Sequence, residues 1–329
     1  VADSTPAGQL DELIVTTFDA VKGVLADQIT NENPLLAALN LRSKVTQDGG
    51  LQIRRPVLFA FNDTVGSYKG YDLIDTTPQD GFGYAVYDWK QYAGSVTISG
   101  RDLRINSGSP RIIALLQAKM EQLKLSVEES MAGMLWATAT TEGNSGKDFL
   151  SIPMIVGDGT TTGATGKTTL GGIDNDSDGQ SWWRSKVVDG VDLTTIDGVR
   201  TLNSVRNSLK IVKSKPDFEF CDQSAFEAYE ALAAPNIRFQ DLKMADLGFD
   251  VVAHKGAELV FEEDSPSGKF WFINSKYLEF VQHSDCWNLM TEFVRPANQD
   301  AKTALVLYMG ELLTNVRRAH GVIINVVSA

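Results

Sequence analysis

The sequence predicts an α+β fold with parts that a single copy leaves uncovered, and three observations predict it. An apolar stripe at helical spacing runs through the first thirty residues, an aromatic and Gly-rich stretch at 51 to 99 reads as a long β-hairpin, and a helical pattern almost free of breakers follows at 110 to 140. Helices and strands then return together from about 194 to the end. With 329 residues, 43% hydrophobic and 22% charged, the chain can bury a core of more than one domain, which excludes a disordered tail or a fibre.

The opening helix carries Leu10, Leu13, Ile14, Phe18, Val21, Leu25 and Ile29 on one face, with Pro6 suited to its first turn. The loop 30-TNENP-34 separates it from the next patterned region, so it reads as an arm that needs a surface from elsewhere. The hairpin follows as 51-LQIRRPVLFAF-61, a polar and Gly-rich middle, and 82-FGYAVYDWKQYAGSVTIS-99. Arms of about 15 residues would reach ~50 Å. A two-stranded hairpin alone is marginal in water, so its faces and edges are expected to meet another copy of the chain.

Ser109-Pro110 is a helix start, Ser as cap and Pro in the first turn, for a helix that runs to about Thr140 with Gly133 its lone weak point. Loops dominate 140 to 195, around an expected short strand 152-IPMIV-156. A helix with Ile196, Val199, Leu202, Val205 and Leu209 on one face comes next, then a strand 217-DFEFC-221 and a helix opened by Ser224 with Glu227 as its capping box. Strands are expected at 249-FDVVAH-254, 257-AELVFEE-263 and 269-KFWFIN-274, the last two joined by the turn 264-DSPSG-268, and again at about 303 to 316 and 322 to 327, hinged at Gly321. No internal repeat is visible.

Charge and motifs narrow the function. Thirty basic against 42 acidic residues, a net charge of −12, argue against a groove built to grip nucleic-acid phosphate. Two cysteines, Cys221 and Cys286, exclude a disulfide framework and suit a reducing compartment. No apolar run approaches the ~18 residues that cross a bilayer, and no charged-then-apolar leader opens the sequence, so neither a membrane-spanning nor a secreted protein is expected. The stretch 160-TTTGATGKTTL-170 mimics a phosphate loop, but Thr161 stands where Gly is needed and 169-TLGGID-174 does not open a helix. The loop 174-DNDSDG-179 mimics the start of a calcium loop, yet Ser185 occupies the twelfth position, where a bidentate Glu belongs; a solvated acidic turn is favoured over a calcium-dependent binding module. His254, His283 and His320 are too scattered for zinc, and no nucleophile motif occurs, so no catalytic residue, cofactor or metal is assigned.

From 171 on, local patterns fall in a specific order: 171-GGID-174 with 182-WWR-184, 200-RTLNSVRNSLKIVKSKPD-217, 224-SAFEAYEAL-232, 238-RFQDLKMADLGF-249, 254-HKGAELVFEEDSPSGKFWFINSKYLEF-280, 298-NQDA-301 and 310-GELLTNVRRAHGV-322. In this order the C-terminal half resembles the major capsid proteins of tailed bacteriophages, the HK97-type family. Two departures are the longer acidic stretch 174-DNDSDGQS-181 and Val316 in place of an Asn before the paired arginines.

The resemblance implies an N-terminal arm at 1 to 50, an extended loop at 51 to 100, a peripheral domain with the spine helix at 101 to 194, an axial domain at 195 to 295, and return strands of the peripheral domain at 296 to 329. It implies a subunit that assembles with copies of itself as pentamers and hexamers into a shell around double-stranded DNA, in the virion after assembly in the host cytoplasm. Scaffolding, portal and decoration proteins are implied partners, contact with the packaged DNA is expected to be weak, and no membrane is involved. An encapsulin-like compartment is the alternative within the same fold. The residues expected to anchor the fold or meet neighbours are Phe18 in the arm; Arg54, Arg55, Tyr71, Phe82, Tyr84 and Trp89 in the hairpin; Trp182, Trp183 and Arg184 in the loop; Arg238; and Arg317 and Arg318 near the end. Adjacent residues of a regular strand face opposite ways, so only one of Arg317 and Arg318 is expected to face the core, against a carboxylate or an interface acceptor.

Overall fold

The computed structural model describes residues 33–105, 109–138, 141–161, 166–177, 179–233 and 251–328. The apolar arm helix with Phe18, and the segment carrying Arg238, lie outside these residues.

The described chain begins with helix α1 (Pro34–Arg42), started by Asn33, whose Oδ1 accepts from Leu36 N at 3.1 Å, and by Pro34 in the first turn. Its run Leu35–Leu39 is fully buried. Glu262 clamps the same helix start: its carboxylate accepts from Asn33 Nδ2 at 3.1 Å and from Leu35 N at 3.0 Å. Glu262 is itself buried, and burial pushes its pKa up to about 7. At the other end of α1, Arg42 spans Asp217 (2.9 Å) and Glu258 (2.6 Å) and lies over the Phe218 ring.

Two main sheets follow. The first has the order β1-β12-β13-β4, from strands β1 (Lys44–Gln47), β4 (Lys90–Ser99), β12 (Leu278–Met290) and β13 (Ala301–Thr314). The second has the order β7-β14-β11-β8-β10-β9, from β7 (Lys186–Asp192), β8 (Phe218–Cys221), β9 (Val251–His254), β10 (Ala257–Phe261), β11 (Lys269–Ile273) and β14 (Gly321–Val327). Between them in sequence lie the ribbon β2 (Ile53–Leu58) and β3 (Phe82–Tyr87), and a small pair, β5 (Thr169–Leu170) and β6 (Ile173–Asp174).

The long hairpin is therefore shorter than the sequence suggests. β2 pairs antiparallel with β3 over six residues, Ile53 with Tyr87 and Leu58 with Phe82, while the second half of the expected arm, β4, leaves at Asp88-Trp89 and pairs with β13 from Ser99–Ala301 to Lys90–Gly310. Ten pairs with β13 bury Val96 and Ile98; β2, six residues long, cannot offer that. Pro56 sits inside β2 opposite Tyr84, which is tolerable because β2 pairs on one side alone. β10 and β11 are not a hairpin either: β8 runs between them, parallel to β10 and antiparallel to β11.

The spine helix, labelled α3 after the short α2 (Gly100–Ile105), spans Ser109–Leu135 and so ends before the expected Thr140. Met120, Lys124, Val127, Met131 and Leu135 recur at helical spacing and are buried. The helix crosses β4 so closely that a Cβ on Gly94 would stand 2.6 Å from Leu123 Cδ1, which is why glycine occupies that position. Just past its end, Trp136 packs against Phe220 and Trp271, at centroid distances of 5.8 and 5.9 Å, and ties the spine to the six-stranded sheet. The far face of that sheet is covered by α5 (Ile196–Ser208) and α6 (Gln223–Ala233), whose Leu202, Val205, Phe226 and Tyr229 meet Phe270, Phe272 and Ile323. A sheet buried on both faces explains the nearly continuous apolar strands β8 and β11.

Local signals fail in three further places. The run at 152 to 156 is not a strand but the short helix α4 (Ile152–Ile155), because Ser151 caps Met154 N and Pro153 fits a first turn. The Ser224–Glu227 capping box is not made: Ser224 Oγ donates to Asp222, Gln223 Nε2 donates to Glu227, and the helix already starts at Gln223. Ile196 is 72% exposed, so the buried face of α5 begins at Gly198. No helix among the described residues is long and apolar enough to cross a membrane.

A polar cavity of about 170 Å³ lies where β3, β4, β5 and β13 meet, lined by Tyr87, Lys90, Glu142, Lys167 and Glu311. Glu142 bridges Lys90 and Lys167; burial opposes its charge, but the two lysines win and hold its pKa below the usual value. Glu311 is fully buried, accepts from Leu150 N (2.8 Å) and Leu312 N (2.9 Å), and is pushed up to about 8 by burial. A carboxyl raised in the folded state contributes stability that is fully present below its unfolded pKa and is lost as pH rises through the folded one. Glu311→Gln is therefore expected to match the parent near pH 4 and to exceed its Tm by roughly 5 °C or more at pH 8.5. Parallel thermal melts at the two pH values check this; an unchanged difference would show that Glu311 does not titrate in this window.

Candidate assembly interface

The ribbon and its tip form the largest run of exposed apolar side chains in the described structure. Tyr71 and Leu73 are fully exposed, and Phe61, Tyr68, Phe82 and Tyr84 are more than 60% exposed. The strands explain the outward set: Phe82 and Tyr84 alternate on β3 with Ala85 and Tyr87 buried farther along, and Arg54 on β2 is exposed between buried Ile53 and half-buried Arg55.

The base of the ribbon is held tightly. Arg55 Nε bonds Glu279 at 2.6 Å and its Nη1 reaches Gln47 Oε1 at 3.2 Å, which ties β2 to the first sheet. Tyr87 donates its hydroxyl to Thr314 O at 2.7 Å, and burial raises its phenol well above the usual value. Trp89 donates to Gly50 O at 2.9 Å and meets the His283 ring edge-on. Trp182 stacks on Phe59 at 5.6 Å and 25° and packs edge-on against Trp183. Trp183 itself is buried and donates to Leu170 O at 3.0 Å. Arg184 holds the acidic loop through Asn175 O (3.1 Å) and Asp176 (3.2 Å), while Asp174 accepts from Asp176 N and Ser177 Oγ inside the same turn.

Arg317 and Arg318 require a correction. They do not lie in a strand: β13 stops at Thr314, and residues 317–319 form a 3-10 turn before β14. Arg317 is fully buried with no carboxylate partner among the described residues; its Nε donates to Ile155 O at 2.9 Å, with Trp183 O and Met154 O each at 3.4 Å from Nη1 and Nη2. Burial pushes its pKa down to about 10, against the pull of Tyr87 and Asp158, so it remains charged near neutrality. His320, at the end of the turn, is pushed down to about 4 by burial; its Nδ1 accepts from Asn274 N, which leaves Nε2 to donate to Thr314 Oγ1. Arg318 is exposed.

Beneath the ribbon base an apolar pocket of about 280 Å³ opens to the surface, walled by Phe59, Phe61, Trp182, Val212, Val316 and Arg318. Sequence reasoning missed it because its walls come from five separate segments. It also missed Val212, whose φ of +55° places a β-branched residue in the left-handed region, 84% exposed at the mouth.

Arg317→Ala is expected to cost about 3 kcal/mol or more, since it leaves buried carbonyls unpaired and opens a cavity, whereas Arg318→Ala stays within about 0.5 kcal/mol. Trp183→Ala should cost about 3 to 5 kcal/mol and Trp182→Ala clearly less. Denaturant unfolding of the four variants checks the order, and equal losses at the two arginines would contradict the geometry.

No protein-family model matches the sequence, and no curated protein matches it significantly. Solved structures do match in fold. A chain of the cyanophage A-1(L) capsid asymmetric unit covers 90% of this chain and 93% of its own, at 13% identity and a TM-score of 0.62. The SrpI encapsulin of Synechococcus elongatus PCC 7942 covers 89% and 88%, at 13% identity and 0.54. A virus-like particle from Pyrococcus furiosus covers 93% and 98%, at 10% identity and 0.50. With an exposed ribbon, a spine helix and two sheets matched over nearly the whole of each chain, this protein has the HK97-type fold of phage capsids and encapsulins.

Proposed function

We propose that the chain is the major capsid subunit of a tailed bacteriophage, self-assembling through pentamers and hexamers into a shell around double-stranded DNA. The observation that carries this reading is the ribbon tip: Phe61, Tyr68, Tyr71 and Leu73 are exposed on a chain whose fold matches a cyanophage capsid chain from end to end. Exposed apolar surface on this scale marks an interaction site. Head-to-tail contacts that close on rotation give rings. The net charge of −12 suits a container that confines DNA without gripping its phosphates.

In this reading α3 and the β1-β12-β13-β4 sheet belong to the peripheral domain, with β4 continuing from the extended loop. The β7-β14-β11-β8-β10-β9 sheet with α5 and α6 belongs to the axial domain, β14 returning to it from the C-terminus. Scaffolding, portal and decoration proteins are the further partners the reading calls for, and the virion is its location.

A second reading, an encapsulin-like compartment, is favoured by the SrpI encapsulin match at a TM-score of 0.54. The two separate on cargo: particles from infected or lysogenic cells hold nuclease-protected DNA in the first case and a co-purifying protein in the second.

Electron microscopy of the purified protein should show closed shells. Replacing residues 61 to 80 by a short Gly-Ser turn leaves the Leu58–Phe82 pair to close the ribbon. That variant is expected to melt cooperatively, with unchanged circular dichroism, and to form no shells. Intact particles would make the tip dispensable, and an unfolded chain would make it part of the core.

A further inference from the structure

The apolar pocket under the ribbon base is built to receive something, and the protein's own charges say what. Two features mark it as a docking site. Its mouth is formed by exposed hydrophobic side chains, Phe61 and Val212, at 78% and 84%. Its rim is basic, with Arg318 in the wall and Lys213 exposed next to Val212.

The turn that presents Val212 is strained. Ile211 and Ser214 exchange both backbone hydrogen bonds at 2.9 Å, closing a two-residue hairpin loop whose first central position has a positive φ. Glycine is the usual residue there. A β-branched residue in that conformation costs free energy in the lone chain, and strain of this kind concentrates at binding sites.

The ribbon tip has the complementary chemistry. Residues 61 to 80 carry four aspartates, Asp63, Asp72, Asp75 and Asp80, against Lys69. Among them stand Leu73 and Ile74, fully and 60% exposed, and the hydroxyl donors Tyr68 and Tyr71. We infer that the acidic, aromatic tip of one copy docks into the basic-rimmed pocket at the ribbon base of the next copy. Apolar side chains of the tip fill the cavity beside Val212, and Asp72 and Asp75 face Lys213 and Arg318. This deepens the shell reading and rests on it: one surface at the ribbon's tip and a different one at its base give a head-to-tail contact, the kind that builds rings.

The test is charge reversal with rescue. Lys213→Glu/Arg318→Glu and Asp72→Lys/Asp75→Lys should each raise the protein concentration needed for assembly about tenfold or more, while the melts stay like the parent's. All four changes in one chain should bring it back to within about threefold of the parent. Val212→Gly should raise the Tm of the unassembled chain and still weaken assembly, an opposition that a purely structural role would not produce. A separate arm does not require closed shells: in a Cys286→Ser background, Leu73→Cys/Val212→Cys should give a ladder of chain multiples on a non-reducing gel, and each single variant no more than dimers. A quadruple variant no better than the doubles, together with a double-cysteine variant that stops at dimers, would overturn the pocket assignment and leave the shell reading intact. A parent that forms no shells would defeat the shell reading, with the ladder still deciding whether tip meets pocket.

Discussion

A buried guanidinium needs acceptors wherever it is placed, and much of the centre of this molecule is arranged to supply them to Arg317. Its donors reach the carbonyls of Met154 and Ile155 in α4 and of Trp183 in the loop that follows β6, while its own carbonyl accepts from Ser185 Oγ at 2.9 Å. A charge met by backbone carbonyls instead of a carboxylate fixes the path of three chain segments together, because an acceptor that moved away would leave buried charge uncompensated. The same turn is the crossing point from β13 in one sheet to β14 in the other, so the angle between the sheets depends on this junction. Trp183 and Tyr87 pack around it, which is how a loop rich in Gly, Thr and Asp holds one conformation.

Much of this was legible in the sequence, and the reason is periodicity. The spine helix and α5 carry apolar residues at helical spacing because each buries one face, and β8, β10 and β11 stand out as short, nearly continuous apolar runs because their sheet is buried on both faces. Resemblance in the C-terminal half supplied the architecture that periodicity could not. What escaped was pairing. Nothing local says that β4 joins β13, more than 200 residues away, instead of continuing beside β2, or that β8 slips between β10 and β11. The 152 to 156 run misled for a different reason: four apolar residues fit a strand or a helix, and the deciding Ser151 cap is one hydrogen bond.

The candidate interface divides along the same line. Tyr71, Phe82 and Tyr84 could be singled out because aromatic side chains clustered in a Gly-rich loop are conspicuous, and the structure leaves them exposed. Trp183 and Arg317, chosen by the same kind of reasoning, are internal anchors, and a sequence cannot say whether an aromatic or an arginine covers its own core or a neighbour's. The pocket was invisible because its walls are drawn from the ribbon base, the tryptophan pair, the 211 to 212 turn, Tyr277 and the turn after β13. Glu262 and Glu311 were hidden as well, since a carboxyl reads as solvent-seeking until the backbone N–H groups that hold it are known.

Pro56 has a consequence for how copies of the chain would meet in the proposed shell. A two-stranded ribbon joined to neither main sheet offers a free edge, and free edges recruit further strands into fibres without a fixed end. A proline in β2 interrupts the row of donors along that strand, so a second ribbon cannot zip onto it as a continuous ladder. Association through this part of the molecule is left to side chains, whose fit depends on shape and charge and is satisfied at one geometry. In the proposed shell, growth would thereby be steered from open-ended stacking toward a contact that saturates.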